Sequence, residues 1–220
     1  MIVFAIMAVG AAGVVVVWRL VAVGRLTIWT GQVAWFGAAG LAAVATGRVD
    51  LSPRVAWGWA VAGGVGAGAA LYAATIAFVT VARRWPAFER HVDQIYDQRR
   101  GLSGAAAIVL AAAVVAPGEE LFWRGLFQGR LALAVGWLSA AVLTWVAYVG
   151  ANAASVSLPI VAAAIVSGAV WGGLALWTHG VLASVCCHAL WTALMVAAPP
   201  SGPTDRSMSR RTRSAEGLGP

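Results

Sequence analysis

The chain of 220 residues is a succession of long apolar stretches separated by short connectors that carry arginine, proline and other polar residues. A helix needs about 20 mostly apolar residues to cross the hydrocarbon core of a bilayer. Stretches near or above this length cover residues 2–18, 27–46, 55–82, 103–126, 131–150, 157–177 and 180–198. We therefore predict an all-α, polytopic membrane bundle of about seven transmembrane helices.

The composition agrees with a bilayer and argues against a nucleic-acid partner. Hydrophobic residues make up 61% of the chain and charged residues 10%, and the net charge of +7 comes from arginines without any lysine. Most arginines fall in connectors and in the C-terminal tail, where anionic headgroups would accept them. They form no basic stripe interleaved with aromatic residues, which nucleic-acid binding would need. The expected partners are the lipid bilayer and a membrane-associated protein or peptide substrate.

The polar connectors divide the chain into four parts. We predict an N-terminal scaffold of transmembrane helices, an amphipathic connector on the membrane interface, a four-helix core, and a disordered basic tail, at residues 1–82, 83–102, 103–198 and 199–220. Gly64 and Gly68 in the scaffold have the GxxxG spacing that lets two helices pack closely.

Two acids and an arginine interrupt the apolar pattern of the fourth stretch. Ionisable groups at membrane depth are costly, so Glu119, Glu120 and Arg124 are a functional-site hypothesis by default. Glu120 and Arg124 are four residues apart and share a helix face, which favours an ion pair. Glu119 is rotated by about 100° and has no such partner, which makes it the better general base. The alternative is a hydrated turn after Pro117 in which all three side chains reach the interface.

Two further polar residues lie in later apolar stretches. Asn152 is at the end of the fifth stretch, and His188 is surrounded by apolar residues in the seventh. Taken singly, a membrane histidine is more often a tie between helices, and such an asparagine is more often a cap. Together with the acids and the arginine they predict a site shared by three helices.

The segment Ala-Pro-Gly-Glu-Glu-Leu-Phe-Trp-Arg-Gly at residues 116–125 resembles the EExxxR signature of the CPBP family. This membrane family includes type II CAAX prenyl endopeptidases and bacteriocin-processing or immunity proteins. Tyr148 with Asn152 is similar in spacing to the family's FxxxH element, and His188 with Thr192 to its HxxxN/D element. The resemblance covers the fourth to seventh stretches, roughly half of the chain.

The resemblance implies an intramembrane glutamate peptidase in the plasma membrane of a bacterium. By this resemblance, Glu119 of this chain would activate the attacking water, and Glu120 and Arg124 would shape the site. His188 would stabilise the oxyanion or assist proton transfer. The substrate would be a membrane-associated protein or peptide, and lipid-modified, CAAX-like proteins are one such class of substrate. We expect Asn152 to belong to the catalytic set. The expected substrate contacts are Trp123, Tyr148 and Thr192.

Two departures from the family pattern leave an inactive relative as the alternative. Asn152 replaces the usual histidine, and Thr192 replaces asparagine or aspartate. An asparagine can hold a water molecule but cannot shuttle a proton. The alternative function is a membrane scaffold or a bacteriocin-immunity-type protein. A transporter or channel is disfavoured because the first three stretches carry few polar side chains.

We expect no cofactor. The alternative is a divalent metal such as zinc, held by Glu119, Glu120 and His188 with water in the fourth position. The chain has no HExxH motif, and Arg124 would repel a cation.

Overall fold

The protein was analysed as a computed structural model, which describes residues 2–98 and 101–200. Over these residues the chain forms eight helices and no strand. The helices are α1 Ile2–Ala22, α2 Ile28–Ala45, α3 Trp57–Ala82, α4 Pro86–Asp97, α5 Gly104–Val135, α6 Trp137–Ala153, α7 Leu158–Thr178 and α8 Leu182–Ala197.

The predicted polytopic helical membrane bundle is confirmed. Five helices, α1, α2, α3, α5 and α7, are long and apolar enough to cross a membrane. The other two apolar helices, α6 and α8, are shorter. These seven helices correspond one by one to the seven apolar stretches of the sequence.

The predicted boundary between the fourth and fifth stretches is wrong. A break was expected between residues 126 and 131, but α5 continues without interruption to Val135. Gln128, which resembles part of a polar connector in the sequence, is fully buried and donates its amide to the carbonyl of Gly172. The chain turns at Gly136, whose φ of 78° is a conformation that glycine adopts without strain.

α5 is the central helix of the bundle and packs against α1, α2, α6, α7 and α8. Its contact with α2 depends on glycine. A Cβ atom added to Gly118 would lie 2.2 Å from the carbonyl oxygen of Phe36, and one added to Gly40 would lie 2.6 Å from the Cα of Gly118. The backbone beside Glu119 is therefore held against α2 at a distance that no larger residue permits.

The GxxxG prediction in α3 is confirmed by its contact with α8. A Cβ atom on Gly64 would lie 2.4 Å from the carbonyl oxygen of Ala183, and one on Gly68 would lie 2.7 Å from that of Cys187. The two helices therefore approach backbone to backbone. This contact fixes the rotation of α8, whose next residue after Cys187 is His188.

The connector predicted at residues 83–102 contains α4, which is amphipathic. Phe88 and Val92 are buried against Val79 of α3. The chain also ties this connector to α2, because the side-chain oxygen of Gln98 accepts from the backbone N–H of Ile28 at 2.7 Å. Residues 99 and 100 of the connector, and residues 201–220 of the predicted tail, lie outside the described residues.

Candidate active site

The acidic pair lies on a short α-helical segment of α5 between two π-helical stretches. The segment is Ala116–Glu120, and the π-helical stretches are Leu110–Val115 and Leu121–Gln128. Pro117 has no N–H to donate within the helix, which is a local reason for the wider turns before it. π-helical turns are rare and occur frequently at functional sites. Here they present polar side chains from several faces of one helix to the bundle interior.

Glu120 is the hub of a buried ionic cluster. Its Oε1 accepts from Nη1 of Arg124 at 3.2 Å and lies 2.9 Å from Nδ1 of His188. The exposed fractions of Glu120, Arg124 and His188 are 0%, 2% and 4%. The ion pair predicted from the spacing of Glu120 and Arg124 is confirmed. The contact with His188 joins α5 to α8.

The contact with Glu120 also assigns the tautomer of His188. A carboxylate paired with arginine accepts hydrogen bonds, so Nδ1 of His188 carries the hydrogen and donates it. Nε2 is then the ring nitrogen available to another group. The imidazole stacks on the indole of Trp171, with ring centroids 3.6 Å apart and an angle of 14° between the planes. The histidine is thus fixed in both position and rotation.

Arg124 is held on four sides. Besides its bond to Glu120, its Nη2 donates to the carbonyl oxygen of Gly168 in α7 at 3.2 Å. The guanidinium lies 4.6 Å from the ring centroid of Tyr148 and 5.3 Å from that of Trp171. Cation–π contacts of this kind are stronger where water is excluded. Arg124 therefore links α5, α6 and α7 around the acidic pair.

Glu119 lies beside this cluster, but its carboxylate forms no ion pair with the arginine or the histidine of the cluster. Its exposed fraction is 7%, and its carboxylate lies close enough to the hydroxyl of Tyr148 to interact with it. His188, Glu120 and Arg124 are all close enough to interact with it electrostatically. Across residues 2–98 and 101–200, no ion pair includes Glu119. Glu119 is thus the acid of the pair that has no cationic partner, although Oε2 of Glu120 also has no hydrogen-bond partner among the described residues.

The same part of the chain matches a protein-family model. Residues 101–194 match the model described as type II CAAX prenyl endopeptidase Rce1-like. The match covers fewer than half of the 220 residues. The match agrees with the resemblance of residues 116–125 to the EExxxR signature. Searches of the curated proteins and of the solved structures found no match.

The apolar helices are those of an integral membrane protein, and part of the chain matches a model of a protease family. The matched residues extend from α5 into α8 and include Glu119, Glu120, Arg124 and His188. The helices α1, α2, α3 and α4 lie outside the match.

Asn152, which lies within the matched residues, forms hydrogen bonds through both the oxygen and the nitrogen of its amide. Its Oδ1 accepts from the indole Nε1 of Trp18 at 2.9 Å, and its Nδ2 donates to the carbonyl oxygen of Tyr148 at 2.9 Å. Asn152 therefore ties α6 to α1, which lies outside the matched residues. It is one helical turn from Tyr148 and is 5% exposed.

The three residues predicted to contact substrate have different surroundings. Tyr148 lies between Glu119 and Arg124, at the site. Trp123 is fully buried and packs by ring edges against Phe122 and Tyr148. Thr192 lines a separate, mainly apolar cavity of about 420 Å³ between α2, α3, α4, α7 and α8.

Sequence reasoning did not anticipate the roles of the tryptophans. Trp171 stacks on His188, and Trp191 of α8 packs against Trp171 at 5.6 Å while its Nε1 donates to Thr75. Trp191 also lines the apolar cavity and so forms a wall between that cavity and the ionic cluster. Twelve tryptophans in an apolar chain give no signal that distinguishes these from lipid-facing ones.

The described residues contain no group of three or more His, Cys, Asp and Glu side chains arranged to hold a metal ion. In the alternative set of Glu119, Glu120 and His188, Arg124 and His188 already share Oε1 of Glu120, whereas its Oε2 has no hydrogen-bond partner among the described residues. Placing a cation there would bring it beside a buried guanidinium.

Proposed function

We propose that the protein is an intramembrane endopeptidase that hydrolyses a peptide bond of a membrane-associated substrate with water activated by Glu119. The observation that carries the proposal is the difference between the partners of the two acids. Glu120 is committed to Arg124 and His188, whereas Glu119 has no cationic partner in the described residues. Both lie in a bundle interior where electrostatic interactions are stronger than in water.

The proposed reaction starts with water bound at the Glu119 carboxylate. As the water oxygen attacks the substrate carbonyl carbon, one water proton moves to Glu119 and the carbonyl oxygen becomes an oxyanion. Nε2 of His188, in the imidazolium form, donates to that oxyanion, and Glu120 stabilises the positive charge from the Nδ1 side. The C–N bond then breaks, and the proton held by Glu119 passes to the leaving amine.

The substrate is proposed to be a protein or peptide tethered to the membrane. The family model is named for prenyl endopeptidases, so a lipid-modified, CAAX-like protein is the substrate class that we propose first. We place the protein in the plasma membrane of a bacterium. No cofactor is proposed, because Arg124 beside the carboxylates already supplies the fixed positive charge that a metal would provide.

A second function is favoured by one observation. Asn152 occupies the position where the family has histidine, and its amide is used on both sides by Trp18 and the Tyr148 carbonyl. A residue held in this way is a structural tie between helices. A membrane scaffold or immunity-type protein that has lost catalysis would retain such a tie.

The experiment that separates the two functions compares membrane peptides in cells that produce either the wild-type protein or Glu119→Gln. Glutamine keeps the shape of the side chain and removes the base. An endopeptidase predicts cleavage products that occur only with the wild-type protein, with equal amounts of both proteins in the membrane. Identical peptide sets would favour the scaffold. A parallel reaction of purified protein with EDTA should leave cleavage unchanged, and loss of cleavage would reject the metal-free chemistry.

A further inference from the structure

The cavity of about 420 Å³ that Trp191 separates from the ionic cluster has an almost wholly apolar lining. The serine and threonine hydroxyls in its walls are withdrawn from it. Those of Thr75 and Ser167 donate to carbonyls of their own helices, and the hydroxyl oxygen of Thr192 is buried in the wall. An apolar cavity of about 150 Å³ already stays dry and binds a molecule the size of benzene. The lining therefore suits a larger apolar ligand.

The position of the cavity along α3 fixes its depth in the bilayer. Trp57 at the start of α3 and Trp85 just after its end are both more than half exposed, and tryptophan is enriched at the two membrane interfaces. The cavity extends from α4, which follows that end of α3, down to Leu71. Leu71 is three helical turns before Ala82, which is about 16 Å along the helix axis. This length is close to one leaflet of a hydrocarbon core of about 30 Å.

The amphipathic helix α4 closes the end of the cavity at the interface. Four of its side chains line the cavity, namely Phe88, Val92, Ile95 and Tyr96. The helix is held over the cavity at its C-terminal end, where Tyr96 donates to the carbonyl oxygen of Met195 in α8 and Gln98 accepts from the N–H of Ile28 in α2. Arg84 and Arg90 are exposed at the same end. A molecule with an apolar chain in the cavity would therefore have its polar end beside α4, among charged side chains.

We propose that this cavity binds one acyl chain of a membrane phospholipid, whose headgroup lies at α4. The chain is assigned to the bilayer and not to the substrate, because a chain attached to the reacting peptide would have to pass the wall that Trp191 forms. The ring of Trp191 lies 5.6 Å from that of Trp171 and 6.1 Å from that of His188. The bound chain packs on Trp191 and so supports the stack of Trp171 on His188 from behind. This support rests on the proposed function for its catalytic meaning.

Two substitutions test the binding site. Ala74→Phe and Ala163→Phe each place a ring in the cavity, from the walls formed by α3 and α7. The control is Ala73→Phe, since Ala73 is exposed on α3 and does not line the cavity. Mass spectrometry of the intact, detergent-purified proteins counts the phospholipids that they retain. We expect wild type and Ala73→Phe to retain one phospholipid and the cavity variants none. Wild type without phospholipid, or a folded cavity variant that retains it, would overturn the inference.

A prenylated peptide tests the source of the chain. The assignment to a bilayer lipid requires that a farnesylated peptide, added in excess to wild type, leaves the phospholipid bound. Displacement of the phospholipid by this peptide, but not by the same peptide without its lipid, would assign the cavity to the substrate and overturn the inference.

Turnover tests the support of His188. Removing the phospholipid from wild type with excess detergent should lower kcat by about 10-fold with little change in KM, because it loosens a catalytic group and not the substrate. Adding phosphatidylglycerol should restore kcat. If phospholipid is retained but wild type cleaves no peptide, the proposed function fails and the lipid site stands. If wild type cleaves peptides and delipidation changes only KM, or changes neither constant, the support of His188 is overturned.

Discussion

Replacing Glu120 with alanine should destabilise the protein strongly, because it leaves two buried groups without their shared partner. Nη1 of Arg124 and Nδ1 of His188 both use Oε1 of this carboxylate, at 3.2 Å and 2.9 Å. The side chains of Arg124 and Glu120 are 1% and 0% exposed, so water cannot replace the lost bonds without a rearrangement. The remaining bond from Arg124 to Gly168 is to a neutral carbonyl and does not compensate the charge.

The expected magnitude follows from the cost of an uncompensated buried charge. Removing one partner of a buried ion pair costs about 3–5 kcal/mol, whereas replacing both partners by apolar residues of similar volume is often neutral. Glu120→Ala should therefore lower the free energy of unfolding by about 3–5 kcal/mol. The double variant Glu120→Leu with Arg124→Met should recover most of that loss and remain below wild type by about 1–3 kcal/mol, because Nδ1 of His188 still lacks its partner.

Unfolding can be followed by titrating SDS into detergent-solubilised protein and recording the fluorescence of the twelve tryptophans. The cycle of wild type, Glu120→Leu, Arg124→Met and the double variant gives the coupling free energy. A loss below about 1 kcal/mol for Glu120→Ala would refute the reasoning, since Arg124 would then have other means of solvation. A double variant as unstable as Glu120→Ala would also refute it.

Two further substitutions test the packing around the site. Gly118→Ala should lower the free energy of unfolding and impair any activity, because the added Cβ would lie 2.2 Å from the carbonyl oxygen of Phe36. Gly150→Ala is its control, since a Cβ there meets no atom within 4 Å and alanine favours a helix; equal unfolding of the two variants would contradict the prediction. Trp18→Phe should cost about 1 kcal/mol by removing the donor to Asn152, measured by the same titration, and an unchanged midpoint would contradict that tie.

The sequence was sufficient to predict the membrane bundle and the ion pair within α5. Apolar length predicts a spanning helix, and the spacing of Glu120 and Arg124 predicts a contact on one helix face, because both depend only on local geometry. The end of α5 was missed for a related reason. Polar residues near Gly129 suggested a connector, but Gln128 is satisfied inside the bundle by a carbonyl of α7.

The contacts between helices could not be predicted from one sequence. His188 and Glu120 are 68 residues apart, and Trp18 and Asn152 are 134 apart. Spacing along a helix fixes which residues share a face, but it does not say which neighbouring helix that face meets. The sequence therefore named His188 and Asn152 as candidates without showing that the first binds Glu120 and that the second is tied to α1.

Activation of the attacking water by Glu119 is tested most directly by the turnover of purified Glu119→Gln in lipid vesicles, on a substrate that the wild-type protein cleaves. We expect kcat to fall by about 10²–10⁴-fold, the usual contribution of a general base. The control Glu89→Gln, a carboxylate of α4 that is 38% exposed, should turn over like wild type. Glu119→Gln that cleaves at the wild-type rate, with wild-type unfolding, would contradict the account.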